Sequence, residues 1–165
     1  LQELYTVDGA GTLIQSANFE VTRQATEDDI PAIIDIISPL EKQGVLVRRD
    51  RDKLEEEIDY FTVVEREGLI VALAALYPYD CDSGEIACIV THPDYRNGTR
   101  GANLLNTLEV NARAAGIQRV FVLTTQTAHW FIENGFSEIQ LDDLPEAKQS
   151  LYNYQRKSKV LSKKL

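Results

Sequence analysis

The sequence predicts an α/β fold, a mixed central sheet flanked by helices, and three observations predict it. Short runs rich in β-branched and aliphatic residues alternate with segments whose apolar residues recur at helical spacing, in the order β-α-α-β-β-β-α-β-α-β-β. One strand-like run, Glu85 to Val90, passes through a polar, glycine-containing turn directly into a helix. The 165 residues also suffice for one domain with a sizeable core.

Residues 1–20 are loosely patterned around the turn Asp8-Gly9-Ala10-Gly11 and are assigned to a linker or the remnant of an upstream domain, with the folded domain over 21–165. Val21 to Gln24 is a first strand. Thr26-Glu27-Asp28-Asp29 resembles a capping box, with Pro31 close behind, and opens a helix whose Ile30, Ile33, Ile34 and Ile37 share a face until Pro39 stops it. Arg51 to Tyr60 is a second short helix with Leu54 and Ile58 inward. Phe61 to Glu65 and Leu69 to Leu76 form a hairpin across Arg66-Glu67-Gly68. After the strand Glu85 to Val90 comes a helix from about Arg100 to Ala115, which Gly116 caps. Val120 to Thr124 is a strand, His129 to Asn134 a short helix closed by Gly135, and Phe136 to Gln140 and Leu151 to Val160 supply the last strands.

Composition narrows the function classes. An apolar share of 44% and a charged share of 26% are those of a globular domain, and the longest apolar stretch, Leu69 to Tyr77, is far short of the ~20 residues that span a bilayer. No secretion-type segment opens the chain, so a cytoplasmic protein is expected. The net charge of −9 disfavours nucleic acid and membrane as partners. The charge is uneven, since six basic and no acidic residues follow from Lys148 onward. Cys81 and Cys88 make neither a disulfide framework nor a metal-ligand spacing, and Cys88 reads as a small buried hydrophobe. No metal site is expected. The chain has no methionine and is expected to be a processed or excised part of something longer.

Chemistry concentrates in Thr91-His92-Pro93-Asp94-Tyr95-Arg96-Asn97-Gly98-Thr99-Arg100-Gly101-Ala102-Asn103-Leu104-Leu105. This turn sits at a helix N-terminus, where unpaired N–H groups and the helix dipole favour an anion such as a pyrophosphate. The order histidine-proline, aromatic, arginine, small residue, glycine, apolar helix resembles the acetyl-coenzyme A signature of the GCN5-related N-acetyltransferase family. Thr99 stands where that pattern has its first glycine. The resemblance implies the acetyltransferase fold. It also implies acetyl-coenzyme A as cosubstrate, held by the Ile89 and Val90 backbone as an added strand and by the cradle Arg96, Asn97, Gly98, Thr99, Arg100, Gly101 and Ala102.

Further strings narrow it: Pro39 to Arg49, Ala74 to Pro78, Gly84 to Cys88, Val122 to Thr125, His129-Trp130-Phe131 and Tyr152 to Ser158. Together they resemble the C-terminal acetyltransferase domain of the bacterial N-acetylglutamate synthases. Residues 1–20 resemble the end of the amino-acid-kinase-like domain of those enzymes, through which the full-length protein would be a homo-oligomer. The implied reaction is acetyl transfer from acetyl-coenzyme A to the α-amino group of L-glutamate, the first step of arginine biosynthesis. An amine that arrives protonated needs a general base, and the resemblance gives that role to Glu85. Phe131 stands where many relatives place a donor tyrosine; the resemblance therefore gives the thiolate's proton to Thr124, ahead of Thr125. A dicarboxylate needs paired cations, which arginine supplies bidentately; the candidates are Arg48 or Arg49 and, on the last strand, Arg156 with Ser158. Two other readings are an acetyltransferase for another small amine, which the acidic body suits and the arginines do not, and a non-catalytic acetyl-coenzyme A-sensing module.

Overall fold

Val63, Leu73 and Ala75 are buried on one face of a strand pair, and Val64, Ala72 and Ala74 on the other. Strands apolar on both faces need cover on both sides, and the rest of the chain supplies it. A computed structural model describes residues 20–46, 48–79, 82–96, 99–149 and 158–165. Its strands are β1 (Glu20–Gln24), β2 (Phe61–Arg66), β3 (Leu69–Tyr79), β4 (Ser83–Thr91), β5 (Arg119–Thr124), β6 (Ser137–Glu138) and β7 (Lys159–Lys164). They form one sheet in the order β1-β2-β3-β4-β5-β7-β6, antiparallel throughout except for the β4–β5 pair.

Two layers of helix clothe this sheet. On one face α3 (Arg100–Ala114) and α4 (Ala128–Glu133) bury Leu104, Leu105, Leu108, Ala112 and Phe131 against Val64, Ala72, Ala74, Ile86 and Val122. On the other, α1 (Ile30–Lys42) and α2 (Arg51–Glu57) bury Ile30, Ile33, Ile37 and Leu54 against Phe61, Val63, Leu73 and Ala75. A smaller cluster of Phe121, Leu144 and Val160 lies at the β5–β7 end. The β2–β3 turn places Glu67 at φ 50° and Gly68 at φ 82°, the paired left-handed conformation that matches hairpin twist.

The predicted order of strands and longer helices is the observed one, with four corrections. Pro39 does not stop α1, which runs on to Lys42; its ring and Asp35, whose carbonyl it deprives of a partner, both lie on the exposed face, where that carbonyl is open to solvent and costs little. Ile36 joins the buried face of α1, and Ile34 is only half-buried. The last strand runs past its expected end at Val160 to Lys164, because its pairing with β5 is decided by a distant strand and not by local pattern; residues 151–157, which the expected strand included, lie outside the described residues. A short helix α5 (Glu146–Gln149) precedes it.

Candidate active site

Strands β4 and β5 pair over three positions, Ser83 with Arg119, Gly84 with Val120 and Glu85 with Phe121. Beyond Glu85, β4 carries one extra residue against β3: Leu73 faces Val90 while Ala75 faces Ala87. Cys88 absorbs the bulge at φ 53°. A bulge bends its strand and raises its twist. It also shifts the side-chain alternation, so that Cys88 and Val90 pack toward α1 while Ile86 and Ile89 pack toward α3.

A cleft opens where the pairing stops. Its middle, about 380 Å³, is walled by Ile86 to Thr91 of β4 and Val122 to Thr124 of β5. It continues past Ile89 and Val90 into a space of about 300 Å³ beside Arg96, Gly101, Thr127 and Trp130. On the opposite side it shares Val45, Leu46, Ala87, Cys88 and Leu123 with a pocket of about 330 Å³ that holds Arg49, Lys53, Glu57, Tyr77, Tyr79, Glu85, Lys148 and Ser158.

Glu85 is 7% exposed and opens the divergent part of β4. Its Oε1 lies 3.0 Å from Lys148 Nζ. Burial first, then the charge of Glu85 and a hydrogen bond to it, push the Tyr79 hydroxyl up to about 12. Across the pocket, Tyr77 donates from its hydroxyl to Glu57 Oε1 at 2.7 Å and accepts from Arg49 Nε at 3.2 Å. The Arg49 amide donates to Glu41 Oε2 at 2.8 Å, and its guanidinium lies over the Tyr77 ring at 5.8 Å. Burial pushes the Cys88 thiol up to about 11, which leaves it an unreactive core group.

Thr124 ends β5 with its hydroxyl buried in the cleft wall. It accepts from the Thr127 amide at 3.0 Å and shares a hydroxyl contact of 2.7 Å with Thr127 Oγ1. Thr125 Oγ1 is buried and has no hydrogen-bond partner. At the other end, Thr99 is the N-cap of α3, and its hydroxyl accepts from Asn103 Nδ2 at 3.3 Å. A Cβ on Gly101 would stand 3.3 Å from Trp130 Cζ2, so glycine lets the indole lie against the start of α3.

The structure brings together Glu85, Arg49 and Ser158 in one pocket, and Ile89, Val90, Arg96, Gly101 and Thr124 along the connecting cleft. Ala102, half-buried, follows Gly101 in the first turn of α3. Two predicted residues point elsewhere. Arg48 is exposed and lines a surface depression with Ile34, Ile37 and Asp50, which Arg49 also borders, and it does not line the pocket of Glu85. Arg100 does not present its charge to the cleft: Glu20 of β1 takes its Nε and Nη2 at 3.2 and 2.5 Å, and its Nη1 donates to the Tyr95 carbonyl. Asn97, Gly98 and Arg156 lie outside the described residues. Sequence reasoning missed Tyr77, Tyr79, Glu57 and Lys148. The alternation Tyr77-x-Tyr79 was a usable signal for the tyrosines, and the basic run that opens at Lys148 was one for the lysine.

Chemically, a buried carboxylate faces a pocket rich in cations, and a cleft with an apolar wall leads from it to a helix N-terminus. Among the described residues no group of three His, Cys, Asp or Glu is placed to hold a metal ion, and no helix is long and apolar enough to cross a membrane. Residues 29–136 match the model of the acetyltransferase (GNAT) family. The amino-acid acetyltransferase of Pseudomonas syringae pv. syringae is 56% identical over 164 residues, 99% of this chain and 38% of that protein. The Vibrio vulnificus amino-acid acetyltransferase is 53% identical over 98% of the chain and 37% of its own length. The chain thus spans well under half of these curated relatives. Among solved structures, N-acetylglutamate synthase from Neisseria gonorrhoeae in complex with coenzyme A and N-acetyl-glutamate superposes with a TM-score of 0.87 and 40% identity, covering 89% of this chain and 35% of that one. The same enzyme with coenzyme A and L-arginine gives 0.80 and 38% over 88% of this chain and 33% of that one.

Proposed function

The chain belongs to the acetyltransferase (GNAT) family, and from that premise we propose that it transfers acetyl from acetyl-coenzyme A to the α-amino group of L-glutamate, the first step of arginine biosynthesis. The observation that carries this reading is the joining of Glu85 and Arg49 in one pocket that opens onto the cleft between β4 and β5. The neighbouring complexes of known structure support the choice of substrate.

Bound coenzyme supplies the acetyl thioester. The cleft residues do the rest. The Ile89 and Val90 backbone, left without a β5 partner, pairs with the extended arm of the coenzyme, and Arg96, Thr99, Gly101 and Ala102 at the start of α3 receive its phosphates. Arg49, held in place by Glu41 and Tyr77, binds a substrate carboxylate with Ser158. Glu85 takes the proton of the α-ammonium, which frees the amine to attack the carbonyl carbon. Thr124 accepts from the Thr127 amide, and with Thr127 Oγ1 as the donor in their shared hydroxyl contact the Thr124 proton turns to the departing sulfur. Residues 1–19, stopping short of Glu20, which opens β1, are assigned to the linker or trailing part of an upstream amino-acid-kinase-like domain, the means of self-association in the full-length protein, and the compartment to the cytoplasm.

Thiol release from acetyl-coenzyme A with L-glutamate, L-aspartate, L-ornithine and spermidine in parallel tests the reading. Glutamate-selective release is expected. Glu85→Gln is expected to lower kcat by roughly 10²–10⁴ fold with coenzyme affinity unchanged, and Arg49→Ala to raise KM for glutamate. Release with spermidine in place of glutamate would overturn the assignment.

A further inference from the structure

The Lys148 side chain, 17% exposed, lines the same pocket as Glu85, and its ammonium lies 3.0 Å from that carboxylate. Its carrier is braced for the task. The side-chain amide of Gln149 donates to the Asp142 and Leu144 carbonyls at 3.1 and 2.6 Å, and Leu144 is packed into the cluster with Phe121 and Val160. An ammonium has three N–H donors, and beyond Glu85 no partner for this one exists among the described residues. The other cations of the pocket are already committed in part: Lys53 to Glu57 at 3.4 Å, and Arg49 to Tyr77.

Resting on the glutamate reading above, we propose that Lys148 binds the α-carboxylate of the amino-acid substrate while Glu85 receives its α-ammonium. An α-amino acid carries its ammonium nitrogen about 2.5 Å from its carboxylate carbon, by standard bond lengths. The Glu85–Lys148 pair presents a carboxylate and an ammonium side by side, oxygen to nitrogen 3.0 Å, in the opposite sense. Docked against each other, the two zwitterionic pairs place opposite charges together at both ends, in a pocket where water screens little. A cation on the base's flank thereby selects an α-amino acid over a plain amine, and Arg49 and Ser158 are left for the side-chain carboxylate.

Calorimetric binding of N-acetyl-L-glutamate, its α-monoamide and its γ-monoamide, each with coenzyme A present, tests the assignment in the wild-type chain, Lys148→Met and Lys148→Arg. The wild type is expected to bind both amides more weakly than the diacid. Lys148→Met should lose about tenfold in affinity for the diacid, the effect of one charge-assisted contact. It should also lose its discrimination against the α-amide alone, and Lys148→Arg should restore that discrimination in part. Unchanged coenzyme A affinity and melting temperature certify the fold of each variant. Retained discrimination against the α-amide in Lys148→Met, or loss of discrimination against the γ-amide instead, overturns the proposal while leaving the glutamate reading intact. A wild-type chain that binds coenzyme A and none of the three ligands overturns both.

Discussion

Asp29 organises the approach to α1 through one carboxylate. It accepts from Arg23 Nη1 and Nη2 at 2.8 and 2.9 Å and from the Thr26 amide at 2.8 Å. The Arg23 bond, helped by Thr26, outweighs burial and holds the carboxyl below its ordinary 3.8. A carboxyl depressed in the folded state adds stability that is complete above its unfolded pKa and is lost as pH falls through the folded value. Asp29→Asn is therefore expected to cost about 1 kcal/mol at pH 7, a modest figure because Arg23 is 32% exposed. The gap should close from about pH 4 downward, as melting curves across that range will show. The Thr26 to Asp29 spacing was legible in the sequence because a cap is a local device. The grip of Arg23 was not, since it depends on β1 lying beside that turn. The same limit separates Arg49, which follows the pattern of its segment, from Lys148, which reaches Glu85 only through the folded chain.

Elements meet through a few contacts that decide their placement. Glu109 of α3, 4% exposed, takes Lys163 of β7 at 3.0 and 3.1 Å, and the same ammonium donates to the Asn134 carbonyl at the end of α4. One lysine thus ties two helices to an outer strand. Lys163→Met leaves the Glu109 carboxylate buried without its cation and is expected to lower unfolding stability by about 2–3 kcal/mol, short of the full cost of a buried pair because Lys163 is one-quarter exposed; urea denaturation measures it. Gly101→Val drives a branched side chain against Trp130 and into the cleft. It is expected to weaken coenzyme A binding at least tenfold with little change in KM for the amino acid, which calorimetry and initial rates separate. The glycine was visible in the sequence as part of an anion turn. Its contact with an indole some thirty residues later in the chain was not. The positive φ at Cys88 had no warning at all, since nothing about a cysteine inside an apolar strand announces a bulge.

At the scale of the whole molecule, the two-layer architecture was legible because periodicity tells a half-buried helix from a doubly buried strand without any knowledge of partners. Register and strand ends were less so, and β7 runs past its expected end for that reason. Burial is deepest at β3, where Val71 to Ala75 are fully inaccessible, and shallowest at β6, whose two residues are both exposed. Backbone amides of β3 are expected to exchange slowest and those of β6 and α5 to exchange orders of magnitude faster, a gradient that amide hydrogen exchange resolves. The sheet that β3 centres has one weak seam. Four strands on one side and three on the other are stitched by only three parallel pairs, and Glu85 occupies the last stitch. The two halves therefore behave like boards of a book bound along a short spine, with the buried Glu85 carboxylate glued to the spine itself. Whatever spreads the boards changes how far Thr124, on the opposite page, stands from β4, yet leaves Glu85 fixed to both, so the position of that carboxylate is insulated from any widening of the cleft.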